Sequence, residues 1–162
     1  MCLDGHKQWV MEMNNGNSKA IALGINHVAL EVRDLEEELD FLGRLFRFSL
    51  RGREENMAFI ELGDQFIALL ESSNTGEDSH RHFGLVVDDR EAVEARLREN
   101  GIPIVGDRFL DFRDPSGNRW QVVEYGEVQF IKHEQVLARL GAGGLRKSAA
   151  SLEQLREKGI AP

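Results

Sequence analysis

His27-Val-Ala-Leu-Glu-Val-Arg-Asp34 and His82-Phe-Gly-Leu-Val-Val-Asp-Asp89 share the pattern His-x-x-Leu-x-Val-x-Asp, the second copy lying 55 positions after the first. Recurrence at a fixed offset marks a duplicated module. In each copy a short run of alternating side chains reaches an Asp and gives way to apolar residues at helical spacing. These are Leu35, Leu39, Leu42 and Phe46 in the first copy, Val93 and Leu97 in the second. Each module therefore opens strand, then helix. Asp34 followed by Glu37 predicts a capping box at the first helix start, and Gly101 with Pro103 stops the second helix.

Three further strands are expected in the first copy, at Ser49–Arg53, Met57–Leu62 and Gln65–Glu71, with Gly63-Asp64 turning between the last two. The second copy repeats them at Ile104–Val105, Phe109–Phe112 and Arg119–Tyr125, with Asp114-Pro115-Ser116-Gly117-Asn118 as the turn before the final strand. The expected fold class is α+β, two βαβββ modules over about 24–72 and 80–126 within a domain of 24–126. Residues 127–162 read as a helical C-terminal extension, in which Val136, Leu137, Leu140 and Leu152, Leu155 have helical spacing and Gly141-Ala-Gly-Gly144 forms a joint. Residues 1–23 are polar and read as a disordered arm without a signal-peptide core.

The chain has 162 residues, 20 Lys and Arg against 28 Asp and Glu, and a net charge of −8, so the cationic surface that nucleic-acid binders need is missing. Apolar runs stop near five residues, as in Phe66–Leu70, too short to span a bilayer. The lone Cys2 cannot close an internal disulfide. These features predict a cytoplasmic protein with neither nucleic-acid nor membrane partners. Gly141–Gly144 lacks the strand and helix start of a phosphate loop, which excludes a nucleotide cofactor. Ser116 has no base near it in sequence, which disfavours acyl transfer.

The repeated opening motif, together with Phe112-Arg-Asp-Pro-Ser-Gly-Asn-Arg-Trp-Gln-Val-Val-Glu-Tyr125 closing the second module, resembles the vicinal oxygen chelate superfamily, the glyoxalase, bleomycin-resistance and extradiol-dioxygenase group. The resemblance covers about residues 24–126. It implies that the modules curl a mixed sheet into a cup, with helices outside and a divalent metal, Fe, Mn, Ni or Zn, held between first and last strands. His27 and His82 then occupy the first-strand ligand positions. Imidazole is the commonest side-chain metal ligand, and equivalent repeat positions become neighbours around a pseudo-twofold axis.

The last strands depart from the family pattern. Ala68 and Gln121 stand where the resemblance implies carboxylates, leaving His27, His82 and Gln121 as the candidate metal ligands. Strand alternation puts Gln121 and Val123 on one face, Trp120, Val122 and Glu124 on the other. By the same alternation Phe66, Leu70 and Val123 line the cup as substrate contacts. Glu31 shares the strand face of His27 and adds a carboxylate at the rim, about 13 Å along the strand. His80 is expected to be a bystander.

Two functions follow from this pattern. One is a glyoxalase- or dioxygenase-like enzyme acting on a small oxygenated substrate at a weakened divalent-metal site. The other is a metal-free protein that sequesters a small molecule, as in the bleomycin-resistance branch. The apolar stripes of the C-terminal helices need covering, by a second copy or by the parent module, and a homodimer is expected.

Overall fold

The computed structural model describes residues 25–106 and 109–160. The arm at 1–23, with Cys2, lies outside them. Asp34, in extended backbone, accepts the Glu37 N–H at 2.9 Å and so starts helix α1, Leu35–Leu45. Asp89 does the same for the Ala92 N–H at the start of α2, Arg90–Glu99. The shared Asp of the repeat is thus a helix cap in both modules.

The first module contains β1, His27–Val32, then α1, β2, Leu50–Glu54, β3, Met57–Glu61, and β4, Phe66–Glu71. These strands form a sheet in the order β1-β4-β3-β2, with β1 parallel to β4 and the remaining pairs antiparallel. The second module contains β5, Phe83–Val87, then α2, β6, Leu110–Arg113, and β7, Arg119–Glu124, in the order β5-β7-β6. Again the first and last strands are parallel neighbours. The fold is α+β with two open mixed sheets, as the repeat predicts, and neither sheet closes into a barrel.

One expected strand does not form. Ile104–Val105 makes a single backbone bond toward β6, from Val105 N–H to Asp111 O at 2.7 Å, and no ladder. Pro103 has no N–H to donate, and Gly106 turns the chain at φ +115°. Two residues between such breakers are too few for a strand. The second module is therefore βαββ, and β6 is an edge.

The facing predicted from alternation holds. Leu30 and Val32 of β1 are buried, with Val28 packed against them, while His27, Ala29 and Glu31 are exposed. Phe83, Leu85 and Val87 of β5 pack on the same core, which Leu35, Phe41, Leu42 and Leu45 of α1 and Val93 and Leu97 of α2 complete. Burying each such side chain contributes about 1.5–3 kcal/mol. The modules share this core: Phe46 stacks on Trp120 at 6.3 Å, and Phe41 and Phe46 meet Phe112.

The Asp114–Asn118 turn joins the modules by hydrogen bonds. Arg33 N–H donates to Ser116 Oγ at 2.8 Å, and Asn118 Nδ2 donates to Glu31 O at 3.0 Å. Gly117 sits at φ +93°, and a Cβ there would lie 2.9 Å from Glu77 Cα and from Gly76 O. Gly117→Ala is accordingly expected to cost about 2 kcal/mol, from the left-handed backbone and the clash together. The readout is a lower denaturant midpoint at unchanged slope; an unchanged midpoint contradicts the account.

Beyond a short 3-10 turn at Tyr125–Glu127, helices α3, Glu134–Arg139, and α4, Ala149–Glu157, form the C-terminal extension. Lys132, 9% exposed, donates to Leu62 O at 2.7 Å and pairs with Asp64, and Val136 packs over Gly63 in the β3–β4 turn. On the far side of the glycine joint, Lys147 donates to Val128 O at 2.9 Å and to Tyr125 O, and Ser148 N–H donates to Gly126 O at 2.9 Å. Leu137 and Leu155 are buried by the parent chain, while Leu140 stays 42% exposed. The parent modules thus supply most of the cover for which a second copy was the other candidate. Among the described residues no helix is long and apolar enough to cross a membrane.

Candidate metal and ligand site

His27 opens β1, an edge strand, and its ring stacks on Phe66 of β4 at 4.7 Å and 7°. His27 and Phe66 are direct partners in the parallel register, which brings the rings face to face. Arg51 lies 4.7 Å from the centre of the same Phe66 ring and is held by two bonds to Glu61. Because β4 lies between β1 and β3, His27 and Arg51 approach Phe66 from opposite flanks. Arg51 also holds the Glu61 carboxyl below its ordinary range. Phe59 meets Phe66 edge-on at 5.8 Å, giving this face an aromatic floor that sequence alternation had credited only to Phe66 and Leu70.

His82 immediately precedes β5, the matching edge strand of the second sheet. Its Nδ1 donates to His80 O at 2.9 Å. The backbone of His80 thus orients His82, although among the described residues the His80 side chain makes no hydrogen bond or ion pair. His27 Nδ1 likewise donates to Asn26 Oδ1 at 3.1 Å. In both imidazoles the proton on Nδ1 leaves the Nε2 lone pair available, the tautomer that a metal-ligating histidine has when its other nitrogen is tied to an oxygen.

Gln121 lies on β7 opposite Asp111 of β6, and its Nε2 donates to Asp111 Oδ1 at 3.3 Å. That bond fixes the amide with Oε1 unengaged. Asp111 is 1% exposed and is balanced by Arg119, whose Nε donates to Oδ2 at 2.9 Å. The Asp111–Arg119 pair beneath Gln121 was not anticipated. Its only trace in the sequence is that Asp111 and Arg113 face Gln121 and Arg119, in that order, across the turn at strand periodicity.

The remaining candidates have other surroundings. Glu31 is exposed, and its Oε1 accepts from Ser72 Oγ at 3.2 Å. Ala68 offers no donor and is buried. Val123 lines a hollow with Arg90, Ile104 and Leu110 that does not include His27, His82 or Gln121. Among the described residues no group of three or more His, Cys, Asp or Glu side chains is placed to hold a metal. The candidate positions offer two imidazoles and one amide oxygen, donors that suit a divalent ion of intermediate softness such as Zn, Ni or Fe better than the harder Mn, and that hold any of them more weakly than a set with carboxylates.

Two repeated α+β modules, each with its first strand at a sheet edge and a histidine at or just before that strand, define a two-module fold. The profile of the Glyoxalase/Bleomycin resistance protein/Dioxygenase superfamily matches residues 24–122, and the chain belongs to that superfamily. A metallothiol transferase, FosB, from Bacillus licheniformis is 25% identical over 130 residues, covering 70% of this chain and 84% of the relative. Among solved structures, a glyoxalase/bleomycin resistance protein/dioxygenase from Alicyclobacillus acidocaldarius shares the fold with a TM-score of 0.53 and 23% identity, over 64% of this chain and 92% of the other. A variant of the fosfomycin resistance protein FosX from Listeria monocytogenes, complexed with Mn(II) and a dihydroxypropylphosphonic acid, gives 0.55 and 17%, over 63% and 92%.

Proposed function

We propose that the chain is a metal-dependent enzyme acting on a small oxygenated substrate, with His27 Nε2, His82 Nε2 and Gln121 Oε1 as protein ligands. One observation carries this reading: each of the three side chains has its other polar atom tied to an oxygen, so each leaves one lone-pair donor available. When bound, a divalent ion supplies Lewis-acid stabilisation of negative charge developing on a substrate oxygen. Half-buried Phe66 and Phe59 give the first-module face an apolar floor, Phe66 stacks on the His27 ring, and Asp111 holds the Gln121 amide. Phe66, stacked on His27, and Leu70 of the same strand face are the proposed substrate contacts, whereas Val123 and Glu31 lie apart from the three proposed ligands. The metallothiol transferase relative and the Mn(II)-bound FosX neighbour support a metal-assisted reaction on a small molecule.

We further propose that the active form is a homodimer in the cytoplasm. The strands that begin at or just after the two imidazoles, β1 and β5, are both unpaired on one edge, and open edges are templates for association. Metal-free sequestration of a small molecule is the second reading. It is favoured by the uncharged Ala68 and Gln121 at the positions where the family resemblance implies carboxylates. Metal content of protein purified without a polyhistidine tag separates the two, with stoichiometric Mn, Fe, Ni or Zn expected for the enzyme and none for the binder.

Gln121→Glu provides the sharper test. The new carboxylate faces Asp111 Oδ1 where an N–H donor now stands, so the metal-free variant is expected to melt lower than the parent. Adding Mn or Zn is expected to restore the melt and to bind about tenfold tighter than in the parent, about 1.4 kcal/mol. Destabilisation without gain in metal affinity, measured by titration calorimetry, refutes the metal-centre reading.

A further inference from the structure

A hollow of about 250 Å³ lies at the seam between the modules, away from His27, His82 and Gln121. Three chain segments wall it: Arg33 at the end of β1, Gly76 and Glu77 in the linker between modules, and Arg113 through Gly117 around the β6–β7 turn. The walls are fixed to one another. Asp78 N–H donates to Gly117 O at 2.9 Å, Arg33 N–H donates to Ser116 Oγ, and Gly117 packs so closely on Gly76 and Glu77 that a Cβ has no room. Such a hollow is preorganised, because its shape does not depend on a ligand arriving.

Its charge is unusual for this chain. In an acidic protein most arginines find a carboxylate, as Arg51 does in Glu61 and Arg119 in Asp111. Among the described residues Arg33 and Arg113 do not. Arg33 Nη2 donates to Pro115 O at 3.0 Å, and Arg113 donates through Nε and Nη2 to Asp78 O at 3.2 and 2.8 Å. Backbone carbonyls hold both guanidiniums in place without neutralising them, and among the described residues Arg33 Nε and Nη1 and Arg113 Nη1 have no acceptor. The two acids on the lining do not pair with them. Among the described residues Glu77 forms no ion pair with either, and the Asp114 carboxylate, which keeps its charge, directs its oxygens to the Ser116 and Asn118 N–H groups, Asn118 Nδ2 and Trp120 Nε1.

We propose that this hollow is a binding site for a small oxyanion, held between the guanidinium groups of Arg33 and Arg113. Planar guanidinium groups with free donors match the oxygens of a phosphate or carboxylate. The bound anion links the end of β1 in the first module to the linker and to the β6–β7 turn of the second. It therefore stabilises the relative placement of the two sheets on which the edge-strand imidazoles stand. The site is independent of the proposed metal centre, and its test needs no metal.

The experiment is titration calorimetry with inorganic phosphate and, separately, with acetate, at constant ionic strength against chloride, on metal-free full-length protein. Melting temperature is followed in parallel. Saturable binding of at least one oxyanion is expected, with a melting temperature that rises with its concentration. Phosphate alone identifies a tetrahedral ligand, and acetate a carboxylate. Arg33→Gln removes one guanidinium but leaves the backbone N–H to Ser116, so the variant folds, and it is expected to bind about tenfold more weakly. Glu77→Gln removes a negative charge from the lining and is expected to bind more tightly, a gain that mere loss of structure does not produce. Absence of saturable binding beyond that of chloride, or affinity unchanged in both variants, overturns the proposal.

Discussion

Glu38→Gln is expected to raise stability by about 3 kcal/mol at pH 7, or roughly 6–12 °C in melting temperature for a domain of this size. Glu38 lies on α1, is 0% exposed, and has an Oε1 without a partner. Its Oε2 accepts from Ser116 Oγ at 3.3 Å across the module seam. Burial first, and the neighbouring Asp114 carboxylate second, raise its pKa from the ordinary 4.5 to about 9. A proton on Oε1 supplies the donor toward Asp114 that the ionised form lacks. The folded chain therefore keeps a proton that the unfolded chain releases above pH 4.5. This contribution is complete below that pH and declines as pH rises toward 9, above which the folded state must bury a charge. Glutamine keeps the shape and a donor but cannot ionise, so the parent's loss of stability between pH 5 and 9 should flatten in the variant. Superimposable melting curves for parent and variant across that range contradict the account.

Trp120→Ala is expected to cost about 3–5 kcal/mol, and to do so in both modules at once. Trp120 is 1% exposed, lies 4.5 Å from Phe83 and 5.9 Å from Phe112 between ring centres, stacks on Phe46 of the first module, and donates Nε1–H to Asp114 at 3.0 Å. Removing it opens a void in a core to which both sheets contribute. Hydrogen exchange should show amides of β1 and β4 losing protection together with those of β5 and β7. Retained protection in the first sheet shows instead that the modules are separately stable. Trp120→Phe, which keeps the ring but loses the N–H, should fall between parent and alanine variant.

The duplicated motif made the strands, caps and facing legible because each depends on neighbours within a few residues. The Asp that ends His-x-x-Leu-x-Val-x-Asp caps a helix through a bond three positions away, and strand alternation alone assigns His27 and Gln121 to their faces. What the sequence hid depends on distant partners. Glu36, Glu37 and Glu38 look alike in the chain, yet only Glu38 is buried, because Ser116 and Asp114 from the other module close over it. The candidate ligands were legible as residue types. Their tautomers and amide orientation were not, since those depend on Asn26, the His80 carbonyl and a buried Asp111. Ile104–Val105 looked like a strand by analogy with the first module, and Pro103 and Gly106 on either side overrode the analogy.

The extension anchored by Lys132 at one end and Lys147 at the other has a topological consequence. Lys132 reaches Leu62 and Asp64 in the first module, while Lys147 and Ser148 grip Tyr125 and Gly126 at the end of the second. The polypeptide leaves the second module, crosses to the first and returns, so the halves are joined by a return tether as well as by the linker that connects them in sequence. Opening the seam must therefore either break an anchor or stretch the intervening chain. A proteolytic nick at the exposed glycines around Gly141–Gly144 severs that return path while leaving both anchors seated. The cut chain keeps the outbound crossing from Gly126 to the Lys132 anchor, so the halves stay tied there and through the linker, while the returning segment is held to the second module only by its own contacts at Tyr125, Gly126 and Val128.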